Sequence, residues 1–206
     1  IIGAVSSVSI SGPATGDISS DEISVIETEL AEIYGVDVSD LETKIDYVTS
    51  GVLDVTIPDE ISESDAISAL QDSISDVLGV HSSDVLVTIA EDGTVTYSVT
   101  GASFEEALTL QTALSEPDFV SQVTEDLVES GSDITIASNE ANDDVEVVIS
   151  TTIDTSEASS TIDPVTAIED LTQEYGFTDS TVEGNTILYW VKKHFSLCFS
   201  IFITFK

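Results

Sequence analysis

An internal repeat with a shift of 44 residues constrains the fold of this chain more than any other feature. The repeated pattern is a run of apolar residues at spacings of 3, 4 and 3, which places them on one face of an α-helix. The first copy has Ile23, Ile26, Leu30 and Ile33, and the second has Ile67, Leu70, Ile74 and Val77. Because the pattern recurs, the chain is predicted to repeat one supersecondary unit.

Both copies begin with a capping pattern and end at a glycine. Ser19 with Glu22 forms a capping box, and Ser62 with Asp65 forms a weaker acidic version. Gly35 and the equivalent glycine at 79 follow the last apolar residue, where a left-handed residue closes a helix. Two looser copies follow, and Pro117 breaks and restarts the first of them. The predicted helices are 20–34, 62–78, 103–129 and 163–175.

Between the helices the apolar pattern alternates with a period of two, which is typical of β-strands. The predicted strands are 5–11, 41–48, 52–57, 85–89, 94–99, 133–137 and 145–153. Ser50-Gly51 and Asp92-Gly93 are predicted to form hairpin turns, since glycine adopts the positive φ that such turns need. The order β-α-β then occurs four times. It predicts an α+β fold of tandem ferredoxin-like βαββαβ plaits, with antiparallel sheets and helices on one face.

The repeat allows two divisions into domains. The first gives a ferredoxin-like domain at 4–92, a second at 93–190, and an atypical apolar, basic tail at 191–206. The second gives one complete domain at 52–138, flanked by two half-domains. The first division is preferred because it leaves no half-domain without a partner.

The charge balance excludes one class of function. The chain has 40 Asp and Glu, 4 Lys and Arg, and a formal net charge of −36. Proteins that bind nucleic acids electrostatically need clustered Lys and Arg, so nucleic acid is excluded as a partner. Hydrophobic residues make up 41% of the chain, which predicts a folded core rather than a disordered acidic chain. The single Cys excludes an intrachain disulfide.

The composition changes after Glu183, the last acidic residue. The apolar run 195–205 is shorter than the roughly 20 residues that a membrane-spanning helix needs. Three interpretations stay open for this tail: a membrane-contacting segment, a strand or anchor that packs elsewhere, and a translated non-coding stretch. Membrane contact is predicted only if residues 187–206 are genuine. The start at Ile1 and the lack of Met indicate a mature or fragmentary chain.

One stretch of the sequence resembles a known family. The run 78–85, Leu-Gly-Val-His-Ser-Ser-Asp-Val, is followed by a hairpin that ends in the Thr- and Val-rich run 94–100 and then by a long helix. This order is similar to SEA-like, ferredoxin-plait modules in large surface and matrix proteins of microalgae and related protists. The resemblance implies an extracellular, repetitive and non-catalytic role. Self-cleaving SEA domains carry Gly-Ser before hydrophobic residues; here the order is Ser50-Gly51, so autoproteolysis is not expected.

Few residues suggest chemistry. His81 stands beside Ser82, Ser83 and Asp84, but sequence neighbours rarely form a catalytic triad, so a polar loop is preferred and no enzyme is predicted. Carboxylate clusters offer oxygen ligands for Ca²⁺, although none has EF-hand spacing. The candidate metal ligands are Asp59, Glu60, Glu63, Asp143, Asp144 and Glu146. The alternative interpretation is that these acids favour helix starts and keep the surface solvated.

Two hypotheses follow for function. The first is a non-catalytic structural module of an extracellular or cell-surface fibre or matrix protein, whose partners are copies of itself or neighbouring modules. The second is an acidic matrix protein that binds Ca²⁺, carbohydrate or mineral. The abundant Ser and Thr indicate either a solvated sheet face or O-glycosylation. Strands 94–100 and 149–153 carry no charge, which predicts edge-to-edge association into a filament or array.

Overall fold

The computed structural model describes residues 5–156, 158 and 163–184. The predicted tail at 191–206 therefore lies outside the described residues, as does the end of the predicted domain 93–190. The described part has seven strands and five α-helices, in this order: β1 (Val5–Pro13), α1 (Ser20–Tyr34), β2 (Leu41–Thr56), α2 (Glu63–Leu78), β3 (Val85–Ile89), β4 (Val95–Gly101), α3 (Phe104–Leu114), α4 (Phe119–Glu129), β5 (Thr135–Ala141), β6 (Glu146–Asp154), α5 (Pro164–Glu174) and β7 (Asp179–Gly184).

The helix predictions are confirmed, and the capping residues on which they were based cap the helices as expected. The Ser19 side chain accepts a hydrogen bond from the Glu22 backbone, and the Glu22 side chain accepts one from the Ser19 backbone, as a capping box requires. Hydrogen bonds from the Ser19 side chain and backbone lower the pKa of the Glu22 carboxyl. Gly35 and Gly79 end α1 and α2 in the left-handed conformation, with φ of 66° and 68°. The third helical region is divided into α3 and α4 around Pro117, as predicted.

The hairpin predicted at Ser50-Gly51 is wrong, because β2 runs without interruption from Leu41 to Thr56. Gly51 has a different role there. The Tyr97 side chain crosses the strand at this point, and a Cβ added to Gly51 would lie 2.5 Å from the Tyr97 hydroxyl. Glycine inside a strand is typical of such close approaches. The hairpin at Asp92-Gly93 is confirmed, with Gly93 at a φ of +86°.

Substitution of Gly51 should therefore destabilise the fold. The Gly51→Ala variant places a methyl group against the Tyr97 ring and 2.8 Å from the Glu140 carbonyl, so we expect the free energy of unfolding to fall by about 1–3 kcal/mol. Urea unfolding followed by circular dichroism measures this change. Gly16→Ala is the matched control, because nothing lies within 4 Å of a Cβ at that position. Equal stability of the two variants would refute the close-approach role.

The strands form a single antiparallel sheet, so the α+β class is confirmed. The strand order is β3-β4-β2-β6-β1-β7, and β5 also pairs with β2. The long strand β2 makes this arrangement possible, because different parts of it pair with different neighbours. Its residues 47–53 pair with β4 and its residues 51–56 pair with β5.

The chain divides into two compact units, which differ from the predicted division at 92 and 93. Of the described residues, unit 1 comprises those within Ile1–Gly12, Ile18–Ile45 and Val148–Lys206, and unit 2 comprises Pro13–Asp17 and Asp46–Val147. Unit 2 thus resembles the alternative division at 52–138. The two flanking pieces of sequence together make up unit 1, so neither is left as a separate half-domain.

Unit 1 contains β1, the first part of β2, the last part of β6, β7 and helices α1 and α5. Its strand order is β2-β6-β1-β7, and residues 6–11 of β1 pair with residues 179–184 of β7. Helix α5 contacts α1, and the Tyr175 hydroxyl donates a hydrogen bond to Glu29. The buried apolar residues of the unit include Val8, Ile10, Ile26, Leu30, Ile149, Ile153, Ile168 and Leu171.

Unit 2 has the order β3-β4-β2-β5 and the helices α2, α3 and α4. Helix α2 packs on β3, α3 on β4 and α4 on β5. Alternate residues of β4 are buried, which leaves the other face of that strand partly exposed. The core of the unit includes Leu53, Leu70, Ile74, Val87, Val99, Leu114, Leu127 and Ile134.

Candidate functional site

The strand β3 is an edge of the unit 2 sheet and carries no charged residue. In the described part of the chain it pairs only with β4, in an antiparallel register that opposes Val85 to Val99 and Ile89 to Val95. Its other side therefore presents backbone N–H and C=O groups to the surface. Lysine, proline and bulges normally protect such edges, and β3 has none of them. This strand is the candidate functional site.

The two faces of β3 differ in exposure. Val85 and Val87 point into the core, while Leu86 on the opposite face is 61% exposed. The hydroxyl groups of Thr88 on β3 and Thr96 on β4 lie 2.6 Å apart, so they hydrogen-bond across the strands. A shallow cavity of about 310 Å³ lies beside them, lined by Ser50, Val52, Leu86, Thr88, Thr96, Ser98 and Asn142 among others. The edge therefore adjoins a mostly polar sheet face on which Leu86 and Val52 are exposed apolar side chains.

The predicted polar face of β4 is confirmed. Thr94 and Thr96 are exposed, and Ser98 and Thr100 are half-buried. Edge pairing, however, requires a strand with only one neighbour, and β4 lies between β3 and β2. The uncharged runs 94–100 and 149–153, from which edge-to-edge association was predicted, lie in β4 and β6, and each of these strands has a neighbour on both sides. The lack of charge in these two runs therefore does not support edge pairing, because the alternation of residues does not reveal which strands become central.

The turn before β3 is fixed by His81. Residues Ser82–Asp84 form a 3₁₀ turn, and His81 Nδ1 accepts a hydrogen bond from the Ser83 backbone N–H. The Ser83 hydroxyl lies 2.8 Å from the same nitrogen, and it donates to Asp84 at 3.5 Å. All these contacts join residues one or two positions apart in the chain, and His81 also lines an open groove of about 850 Å³. The arrangement is that of a polar cap that sets the start of β3.

The other two edges are protected. Strand β5 pairs only with β2 in the described part of the chain, carries Glu140, and has a bulge where Ala137 is inserted between the paired residues Ile136 and Ser138. Strand β7 begins with Asp179 and pairs with β1 alone among the described strands. Charges and bulges oppose edge-to-edge pairing. Among the described edges, β3 is thus the one without such protection.

A polar network stabilises the strands behind this edge. The Tyr97 hydroxyl donates a hydrogen bond to Asn139 Oδ1 at 2.9 Å, after its side chain has crossed β2 at Gly51. The Asn139 amide donates in turn to the Leu114 carbonyl at the end of α3. Burial raises the pKa of Tyr97 to about 12, so the hydroxyl remains a donor across the physiological range. The network fixes β4 and β5 relative to β2.

The predicted calcium ligands fall into two separate exposed groups. Asp59, Glu60 and Glu63 lie before and at the start of α2, and Glu60 lines an open groove of about 850 Å³. The groove has five further acidic residues, of which only the first was grouped with these acids from the sequence: Asp65, Asp72, Asp76, Asp126 and Glu129. Asp143, Asp144 and Glu146 lie in and after the turn between β5 and β6.

The acidic groups are not arranged as a metal centre. Within the described ranges, no group of three or more His, Cys, Asp or Glu side chains is placed so that it could hold a metal ion. The groove between α2 and α4 is instead a concave surface with spread negative charge. Such a surface attracts cations by its summed field.

Comparisons with known proteins do not assign a family to the chain. No family model matches the sequence, and no curated protein is detectably similar to it. In the part of the chain that the structure describes, no helix is both long and apolar enough to cross a membrane.

Proposed function

We propose that this chain is a non-catalytic structural module of an extracellular or cell-surface fibre or matrix protein, and that it acts by pairing with further copies through the β3 edge. The observation that supports this function is the uncharged, unprotected edge strand Val85–Ile89, with Leu86 exposed beside it. An edge strand adds another strand through main-chain hydrogen bonds, and neighbouring side-chain sites add specificity.

We also propose that each unit is a ferredoxin-like plait, and that the two plaits are nested in the chain rather than consecutive. In unit 1 the first and third strands, β1 and β6, are central; in unit 2 these are β2 and β4. This common order supports the proposal, and it agrees with the resemblance to SEA-like modules, which covers roughly residues 20–183. The extracellular location rests on that resemblance and on the acidic composition.

Lysine on the β3 edge should prevent the association. We expect Leu86→Lys to weaken self-association at least about tenfold, because a charged side chain at the edge would have to be desolvated on pairing. Light scattering over a concentration series measures the change in mass. The matched control is Leu108→Lys on α3, which makes the same substitution at a residue that is 45% exposed. If the two variants associate equally, the β3 edge is not the interface.

A second function is supported by the acidic groove between α2 and α4. Six carboxylates, those of Glu60 and the five residues named with it, line this open surface. We propose, as the alternative, that the chain is an acidic matrix protein that binds Ca²⁺, carbohydrate or mineral. Comparing Ca²⁺ with Na⁺ at fixed ionic strength tests the calcium part of this alternative.

A further inference from the structure

A second surface of unit 2 is apolar and lies away from the β3 edge, between α4 and β5. It is a groove of about 860 Å³ whose apolar lining includes Val120 and Val128 of α4 and Ile136 and Ala137 of β5. Val128 is 65% exposed, the largest exposed fraction among the large apolar side chains of the described residues. An apolar groove of this kind is typical of a site that binds another segment of polypeptide.

The charge at the groove restricts its occupant. Glu125 and Glu129 of α4 also line it, and none of the described residues that line it is basic. A cationic, apolar segment therefore complements the groove. The described part of a second copy offers little positive charge, because Lys44 is the one lysine among the described residues. All other lysines of the sequence lie at 192, 193 and 206.

The bulge in β5 further restricts the mode of binding. Because Ala137 is an extra residue on that strand, the adjacent edge does not present a regular row of hydrogen-bonding groups. A flat β-edge from a second copy is disfavoured here. A segment that inserts apolar side chains between α4 and β5 is compatible with the bulge.

We propose that this groove binds the segment Phe195–Phe205 of a neighbouring copy, which deepens the proposed self-assembly and rests on it. The segment has eleven residues and no charge, and it is flanked by Lys192, Lys193 and Lys206. Its apolar side chains match the apolar lining, and its flanking lysines match the two glutamates of the groove. Each copy would thus carry one groove and one occupant, which is the head-to-tail arrangement that propagates an array.

The only cysteine of the chain, Cys198, lies within this segment and provides a direct probe. In the full chain we place a second thiol in the groove with Val128→Cys, and a control thiol on α3 with Leu108→Cys, both at exposed positions. Oxidised glutathione is added in equal amount to both variants as the oxidant, which takes up the two electrons and two protons of the thiols as it is reduced. A bound segment has an effective concentration of about 1 mM, against about 10 µM for free protein, so the 128–198 disulfide should form about a hundredfold faster than the 108–198 disulfide. Non-reducing electrophoresis and mass spectrometry of linked peptides measure both.

The outcomes separate this inference from the proposed function. An intermolecular 128–198 link far above the control supports the inference. Equal links in the two variants, only 198–198 links, or a 128–198 link within one chain would overturn it. The trapping is repeated with Leu86→Lys present. If the β3 edge proposal alone fails, Leu86→Lys leaves association unchanged while the 128–198 link still forms. If the segment proposal alone fails, Leu86→Lys weakens association and the link is no faster than the control.

Discussion

Replacing Leu70 by Ala should lower the free energy of unfolding by about 2–5 kcal/mol, because Leu70 is fully buried in the core of unit 2 and the substitution leaves a cavity. Leu70 is one of the repeated helix positions, equivalent to Ile26 in the first copy. The prediction therefore tests whether the repeated apolar pattern forms the core. Urea unfolding at equilibrium measures the loss.

The same substitution at an exposed leucine is the control. Leu108 lies on α3 and is nearly half exposed, so Leu108→Ala should change the free energy of unfolding by no more than about 0.5 kcal/mol. Both changes remove the same atoms from an α-helix, so the difference reports burial alone. Similar losses in both variants would show that α2 does not pack with this face toward the sheet.

Ionic strength should change self-association strongly. Two copies with a formal net charge of −36 each repel one another, and this repulsion opposes pairing at the β3 edge. Raising the salt from 0.01 M to 0.15 M shortens the Debye length from about 30 Å to about 8 Å. We expect at least about a tenfold stronger association in NaCl at the higher concentration, measured by light scattering. Association that weakens as salt is added would mean that attraction between charges, rather than edge pairing, holds the copies together.

Calcium separates screening from binding in the same experiment. If the acidic groove binds Ca²⁺, millimolar CaCl₂ should raise the melting temperature above that in NaCl of equal ionic strength, because a ligand that binds only the folded state stabilises it. Equal melting temperatures in the two salts would mean that Ca²⁺ acts only by screening charge, and would refute the calcium part of the alternative function. Sucrose at matched osmolality serves as the uncharged control.

The elements of this fold were predictable from local signals in the sequence. Helix α1 begins at the capping box of Ser19 and ends at Gly35, both of which depend on residues within one turn. The turn at Gly93 depends on the positive φ of a single residue. Each of these interactions joins residues that are close in the sequence, so it can be recognised from the sequence alone. The predicted helices therefore agree closely with the observed ones.

Features that depend on distant residues were not predictable in the same way. Gly51 signals a turn when only its neighbours are considered, but Tyr97, far along the chain, occupies the space that a side chain would fill. The pairing of β1 with β6, which gives unit 1 its discontinuous sequence, also joins residues far apart. The sequential division at 92 and 93 assumed that neighbouring elements form one unit, and long-range strand pairing produced a different partition.

The candidate site was predictable only in part. The strand 85–89 was predicted, with its bounds, from alternating apolar residues. Its place at the edge of the sheet depends on the order of all the strands, so the uncharged runs 94–100 and 149–153 were equally plausible sites of edge pairing from the sequence. The acidic groove between α2 and α4 was not predictable for the same reason: its acids come from two helices that are far apart in the sequence and meet only in the fold.

The central claim is that copies of this chain associate through sheet edges, and the mass of the wild-type protein in solution tests it most directly. Multi-angle light scattering at 0.15 M NaCl, over a hundredfold range of protein concentration, is combined with negative-stain electron microscopy of the same samples. We predict a weight-average mass that rises with concentration from the 21.8 kDa of one chain toward that of a dimer paired at β3, and elongated arrays at the highest concentrations where the segment Phe195–Phe205 adds the head-to-tail contact. A mass that stays at 21.8 kDa throughout, with no elongated particles, would contradict the account.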